Sequence, residues 1–201
     1  MKKTMAIFAA ALASAGAVQA HHSLSMVDIS TSIWVREKVV HFEAVNPHAL
    51  MVLEESRANG EVQRWTIEGG HSGRIGRMGV LPREGDVIEV CGFPLREGLL
   101  SQDSSPDPYG FSGQFVHGHT LLMPDGHWEL FGPYGSLAEC MTSSDEKRDS
   151  WLDFLNNADS SVRDLWCGQR WSAQQGLSSN STAYPTELGD EINGLMAEPC
   201  E

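Results

Sequence analysis

Apolar and polar positions change rhythm along this chain, from a period near two in its first part to a helical period in its last third, with the break near residue 135. Residues 33–45 are rich in Val, Ile, Trp and Phe with partial alternation and predict a long strand. Asn46-Pro47 interrupts it, because proline has no amide proton for a ladder, and marks a bend or bulge before a strand at 49–54. Asn59-Gly60 is a hairpin signal leading into a strand at 62–68. Residues 71–79 have no clear period and read as a short helical or looped crossover, after which Arg83-Glu84-Gly85-Asp86 turns the chain into a strand at 87–93. The stretch 96–112, crowded with Gly, Ser, Asp and Pro, is a long loop. A last hairpin covers 115–123 and 127–131 around Pro124-Asp125-Gly126. Five or six short strands with one crossover predict a mainly β protein built on a small OB-like β-barrel.

The remainder predicts a helical extension. Residues 145–157 place Trp151, Leu152, Phe154 and Leu155 on one helical face, and 160–171 do the same with Val162, Leu165 and Trp166, capped by Asp159 or Ser160. Trp151, Trp166 and Trp171 are expected to pack. Residues 172–185 are polar, and a short helix is expected at 186–196. Cys91, Cys140, Cys167 and Cys200 are widely spaced with no CxxC pair, so two disulfides are expected rather than a thiolate metal site. Three connectivities are possible. Cys140 with Cys167, each bordering a helical stretch, and hence Cys91 with Cys200, is the pairing taken as the working expectation.

The amino terminus changes the picture. Lys2 and Lys3, the apolar run from Met5 to Val18, and Val18-Gln19-Ala20 form a cleavable export signal in this reading, too short for a membrane anchor. The expected organisation is a signal peptide at 1–20, a barrel domain at 21–135 and a disulfide-linked helical extension at 136–201, in a periplasmic or secreted protein without a membrane span. Loss of Lys2 and Lys3 takes the formal charge from −13 to −15. So acidic a surface repels phosphate backbones and anionic headgroups, which argues against nucleic-acid or peripheral membrane binding.

Cleavage after Ala20 makes His21 the first residue, followed by His22. A terminal histidine has what an internal one lacks: its α-amine, with a pKa of about 7.7 to 8, and its own Nδ1 close a chelate ring on one ion. A further imidazole completes a flat nitrogen set of the kind that suits Cu(II), an arrangement called a histidine brace. His48, stiffened by Pro47 at a barrel bend, is the first choice for that ligand and His22 the second. His117 and His119 form an HxH pair that a strand puts on one face, able to grip a metal alone or to add to the terminal site. All eight histidines lie between residues 21 and 127, within the barrel part. His41, His71 and His127 read as surface or turn residues, and Glu68 as a partner for Arg64 or Arg74 or as an acceptor behind a ligand imidazole.

His21-His22-Ser23, Asn46-Pro47-His48, Trp65 with Glu68-Gly69-Gly70, Gly85-Asp86-Val87, Gly92-Phe93-Pro94 and the turn Asp125-Gly126 together resemble an uncharacterised family of exported bacterial proteins, domain of unknown function 6152. The resemblance covers about residues 21–131 and leaves three of the cysteines outside it. It departs at Glu37 and Ala44, where many members carry a glycine and an aromatic. The family implies no activity.

The function expected is thus a periplasmic metal-binding protein for carriage, storage or sensing, with copper on His21, His48, His22, His119 and His117, and with an envelope protein as a possible partner. A metal-free OB-like module for a ligand or protein is the alternative, with Trp34, Trp65, Trp128 and Phe115 lining its groove. A copper-dependent oxidative enzyme is the third reading. No GxSxG elbow, Walker loop, dinucleotide fingerprint or CxxCH is present.

Overall fold

The computed structural model describes residues 27, 28, 30–96, 114–132, 140, 141, 143–167, 194, 197 and 200. Its β part consists of β1 (Ile33–Glu43), β2 (Leu50–Ser56), β3 (Val62–Glu68), β4 (Val87–Pro94), β5 (Gln114–Leu122) and β6 (Trp128–Leu130). The sheet order is β3-β2-β1-β4-β5-β6, and β3 also pairs with β5 in parallel. Five strands therefore close on themselves, while β6 lies beyond β5 as its hairpin partner. With α1 (Ser72–Ile75) bridging β3 and β4, the result is the expected OB-like barrel. The expected loop at 96–112 falls almost wholly outside the described residues, as do Trp171 and most of the helix expected at 186–196.

Alternation determines which side chains fill the barrel. Val35 and Val39 of β1, Met51 and Leu53 of β2, Ile67 of β3, Ile88 and Val90 of β4, and Val116 and Leu121 of β5 meet in one core, closed by Ile75 and Phe131. The register explains the partition: Ile67 and Val116 face each other across the parallel β3–β5 pair, so their neighbours Thr66, Glu68, Phe115 and His117 point outward. Two irregularities modify the pattern. One lies in β1 between Val39 and His41. The other lies where the β4–β5 register passes from Gly92↔Gly118 to Cys91↔Thr120 and leaves His119 as an extra residue.

A second core lies on the outside of the barrel. Cys91, Trp128 and Leu130 pack there against Cys140, Met141, Trp151, Leu155 and Trp166 of the helical extension. The helix α2 (Asp145–Asn157) starts where Ser144 accepts a hydrogen bond from Lys147 N at 3.4 Å, with Asp145 and Glu146 in its first turn complementing the helix dipole. Residues 160–167 are also helical, and Asp159 accepts from Val162 N at 3.0 Å, which is the expected cap. Trp34 meets Trp128 edge-on at 5.9 Å and donates to Ser143 Oγ, and Lys147 reaches Glu89 at 2.6 Å, so polar contacts rim this seam.

The disulfides correct one expectation. Cys91 pairs with Cys140 and Cys167 with Cys200, in place of Cys140–Cys167 and Cys91–Cys200. A disulfide requires its two Cα atoms to lie within about 7 Å. Packing of the segment after β6 onto the outer face of β4 brings the Cα of Cys140 within 5.8 Å of that of Cys91, and leaves Cys167 to the tail at 5.6 Å. Proximity to helices in sequence carried no information about this docking. No helix among the described residues is long and apolar enough to cross a membrane.

Candidate functional site

The outer face of β2, β3 and β5 is largely buried despite its polar members. Leu50 and Val52 of β2 lie opposite Glu68 and Thr66 of β3, and Glu68 and Thr66 lie beside His117 and Phe115 of β5. Leu50, Val52, Thr66, Glu68 and His119 are all buried, Glu68 to 5 % exposure and His119 to 2 %. A carboxylate and an imidazole in such surroundings need partners, because burial without them costs about 1–3 kcal/mol or more per group.

His48 stands directly before β2, after a cis Asn46-Pro47 bond that forms the bend expected there. Its Nδ1 contacts Glu68 Oε1, which makes Glu68 a partner to an imidazole, one of the roles considered for it. Arg64 pairs instead with Glu54 at 3.2 Å. Burial raises the Glu68 carboxyl above its ordinary pKa, and the His48 ring opposes that rise.

His117 and His119 point to the same side of β5, as the period of two requires, and His117 Nδ1 lies 3.2 Å from His119 Nε2. Phe93 on β4, the register partner of His117, packs edge-on against the His119 ring at 5.0 Å. The bulge supports this arrangement. The His119 carbonyl accepts from both Phe131 N at 2.8 Å and Gly132 N at 3.0 Å, which pins the extra residue against the chain after β6. Sequence alternation alone would have sent Leu121 outward with the histidines; the bulge returns it to the core while His119 stays outside.

The other predicted residues fall elsewhere. His21 and His22 lie outside the described residues. His41 neighbours Glu43 and Glu84, His71 is exposed before α1, and His127 reaches Glu129 at 3.1 Å. Among the described residues no three His, Cys, Asp or Glu side chains are grouped as a metal ion would need. Of the four aromatics considered for a groove, Trp34 and Trp128 pack at the seam with the helices, and Trp65 packs against the barrel core.

Sequence reasoning missed Glu129. This carboxylate is 3 % exposed, accepts from Val80 N at 2.6 Å and faces His127, and its pKa is raised by burial against the pull of those partners. Its place in the apolar run Trp128-Glu129-Leu130 was the available signal, since a charge inside a short strand needs a buried partner.

Residues 9–102 match the model of a family of unknown function, DUF6152. The resemblance to that family is thereby shown for that stretch, and the turn Asp125-Gly126 lies beyond it. It spans β1 to β4 with His48 and Glu68, and ends before β5 with His117 and His119. No curated protein matches the chain.

Proposed function

We propose that this protein binds a metal ion, copper first, in the periplasm or outside the cell, through an amino-terminal brace that joins the α-amine and ring of His21 to the imidazole of His48. His117, His119 and His22 are the further candidate donors. Carriage, storage or sensing is the role, with an envelope protein as the partner that delivers or accepts the ion.

The observation that carries the reading is the setting of His48. It is held at a bend with one nitrogen against the buried carboxylate of Glu68, whose strand β3 pairs with the strand β5 that carries a second pair of imidazoles. Rings arranged in this way are pre-oriented, which is how protein sites raise the affinity of a histidine for an ion. The donor chemistry fits copper, since amine and imidazole nitrogens suit Cu(II). In this reading the terminal chelate of His21 supplies two nitrogens and the barrel supplies the rest.

The test compares protein that starts at His21 with a form carrying one extra residue before it. Cu(II) titration is expected to show much tighter binding to the first, because the added residue removes the amine from the chelate ring. Equal affinities overturn the proposal. The intact mass and metal content of the exported protein check the same reading independently, with His21 expected as the first residue and copper as the bound ion.

A further inference from the structure

The turn between β2 and β3 sets one asparagine apart from the others in its chemistry. Asn59 and Gly60 are both exposed, and a Cβ added to Gly60, whose φ is +82°, would meet nothing within 4 Å. An asparagine before glycine is open to attack by the following backbone nitrogen on its own side-chain carbonyl carbon, because glycine puts no side chain in the way. Asn46 is closed to this reaction, since Pro47 has no amide proton to give up.

The folded turn opposes the attack. Asn59 Oδ1 accepts from Glu61 N at 3.0 Å, and Asn59 Nδ2 donates to Glu61 Oε2 at 2.8 Å. Chemistry forces that orientation of the amide, as a backbone N–H has to meet its oxygen and a carboxylate its NH2. Gly60 N, the nucleophile of the reaction, donates to Arg57 O at 3.0 Å, in a turn closed by Arg57 N on Glu61 O at 2.9 Å. The bonds of Gly60 N and of Asn59 Nδ2 cannot survive the reaction, because the first loses its proton and the second departs. The bond to Oδ1 restrains rotation of the side chain.

We infer that Asn59 is a site of spontaneous modification, restrained in the folded protein by Glu61. Gly60 N forms a bond to Asn59 Cγ, the Cγ–Nδ2 bond breaks, and the Gly60 proton passes through water to Nδ2, which leaves as ammonia. Water then opens the cyclic imide at either carbonyl and restores the Gly60 N–H. Opening at the side-chain carbonyl gives aspartate, and opening at the main-chain carbonyl gives isoaspartate; nothing is oxidised or reduced. The first product adds a negative charge beside Glu61. The second puts an extra carbon into the backbone of the turn that sets the β2–β3 register. The modification is independent of the metal-site reading above.

Peptide mapping by mass spectrometry tests this on the whole protein at mildly alkaline pH, native and in guanidinium, by following replacement of NH2 by OH at residue 59. Wild type is expected to convert more slowly when folded than when denatured. E61A is expected to convert about 2- to 10-fold faster than wild type when folded and at the wild-type rate in guanidinium, the range being the worth of one hydrogen bond expressed as a rate. Glu61 is exposed, so the substitution leaves the barrel core untouched. E61Q keeps an acceptor oxygen for Nδ2 and is expected near the wild-type rate, which separates the hydrogen bond from the charge. No conversion at residue 59 in guanidinium, a folded wild type as fast as the denatured one, a folded E61A no faster than wild type, or an E61Q as fast as E61A each overturns the inference.

Discussion

Gly132→Ala isolates the contact that holds the histidine strand in place. Gly132 follows β6, and its amide donates to the carbonyl of His119 at 3.0 Å. A Cβ on this residue would stand 1.9 Å from the Gly118 carbonyl oxygen and 3.0 Å from the His119 Cα. Carbon and carbonyl oxygen in favourable contact lie at about 3.3 Å, so the two backbones must part by roughly 1.4 Å. Both sides of the clash are backbone, and no flexible side chain can yield. Gly132 is not among the described glycines with positive φ, so the cost is one of space and not of conformation. Overpacking typically costs about 1–3 kcal/mol, and loss of the Gly132–His119 hydrogen bond about 0.5–1.5 kcal/mol, giving a destabilisation of about 1.5–4.5 kcal/mol. Guanidinium unfolding measures it, with Gly126→Ala as a comparison: that glycine has φ 85° and nothing within 4 Å of its added carbon, so it reports backbone strain alone. The same parting should loosen the His119 carbonyl and open the 3.2 Å contact between His117 and His119, visible as a change in their ring nitrogen shifts. A Gly132→Ala protein within about 0.5 kcal/mol of wild type, with those shifts unmoved, would refute the reasoning.

Two further outcomes follow from the helical seam and from Glu129. Replacing Cys91 and Cys140 together by alanine releases a loop with a sequence separation of 49, for which chain entropy gives a loss of about 4 kcal/mol; the expected result is early unfolding of the tryptophan-rich seam by fluorescence, and unchanged unfolding denies that the bond constrains it. Because burial raises the Glu129 pKa in the folded protein above its ordinary 4.5, its contribution to stability is fully present below that value and is lost as pH rises through the raised one. A glutamine at this position has no such titration, so E129Q should match the parent near pH 4 and melt higher at pH 7. The pair is best compared in a His127→Gln background, which removes the facing imidazole's own titration; an E129Q protein that gains nothing between the two pH values contradicts this account.

Much of the barrel was legible in the sequence because short-range chemistry dictates it. Alternating apolar residues place Ile67, Val90 and Val116 inside, Asn59-Gly60 makes a hairpin between β2 and β3, and β3 and α2 cover the spans that the pattern predicts, 62–68 and 145–157. The same period put His117 and His119 on one face. Each of these depends on neighbours within a few residues, which a linear reading contains.

What tertiary structure alone decided is which distant groups meet. Parallel closure of β3 on β5 sets Glu68 beside His117, and the bend at Asn46-Pro47 returns His48 to Glu68, twenty residues on in the chain. Docking of the helices on β4 selects Cys140 for Cys91, and the bulge at His119 breaks the alternation that would have sent Leu121 outward. Periodicity determines the face on which a side chain lies, but not what the other side of the barrel brings to that face. That is decided only when closure and packing satisfy backbone hydrogen bonds and fill space together.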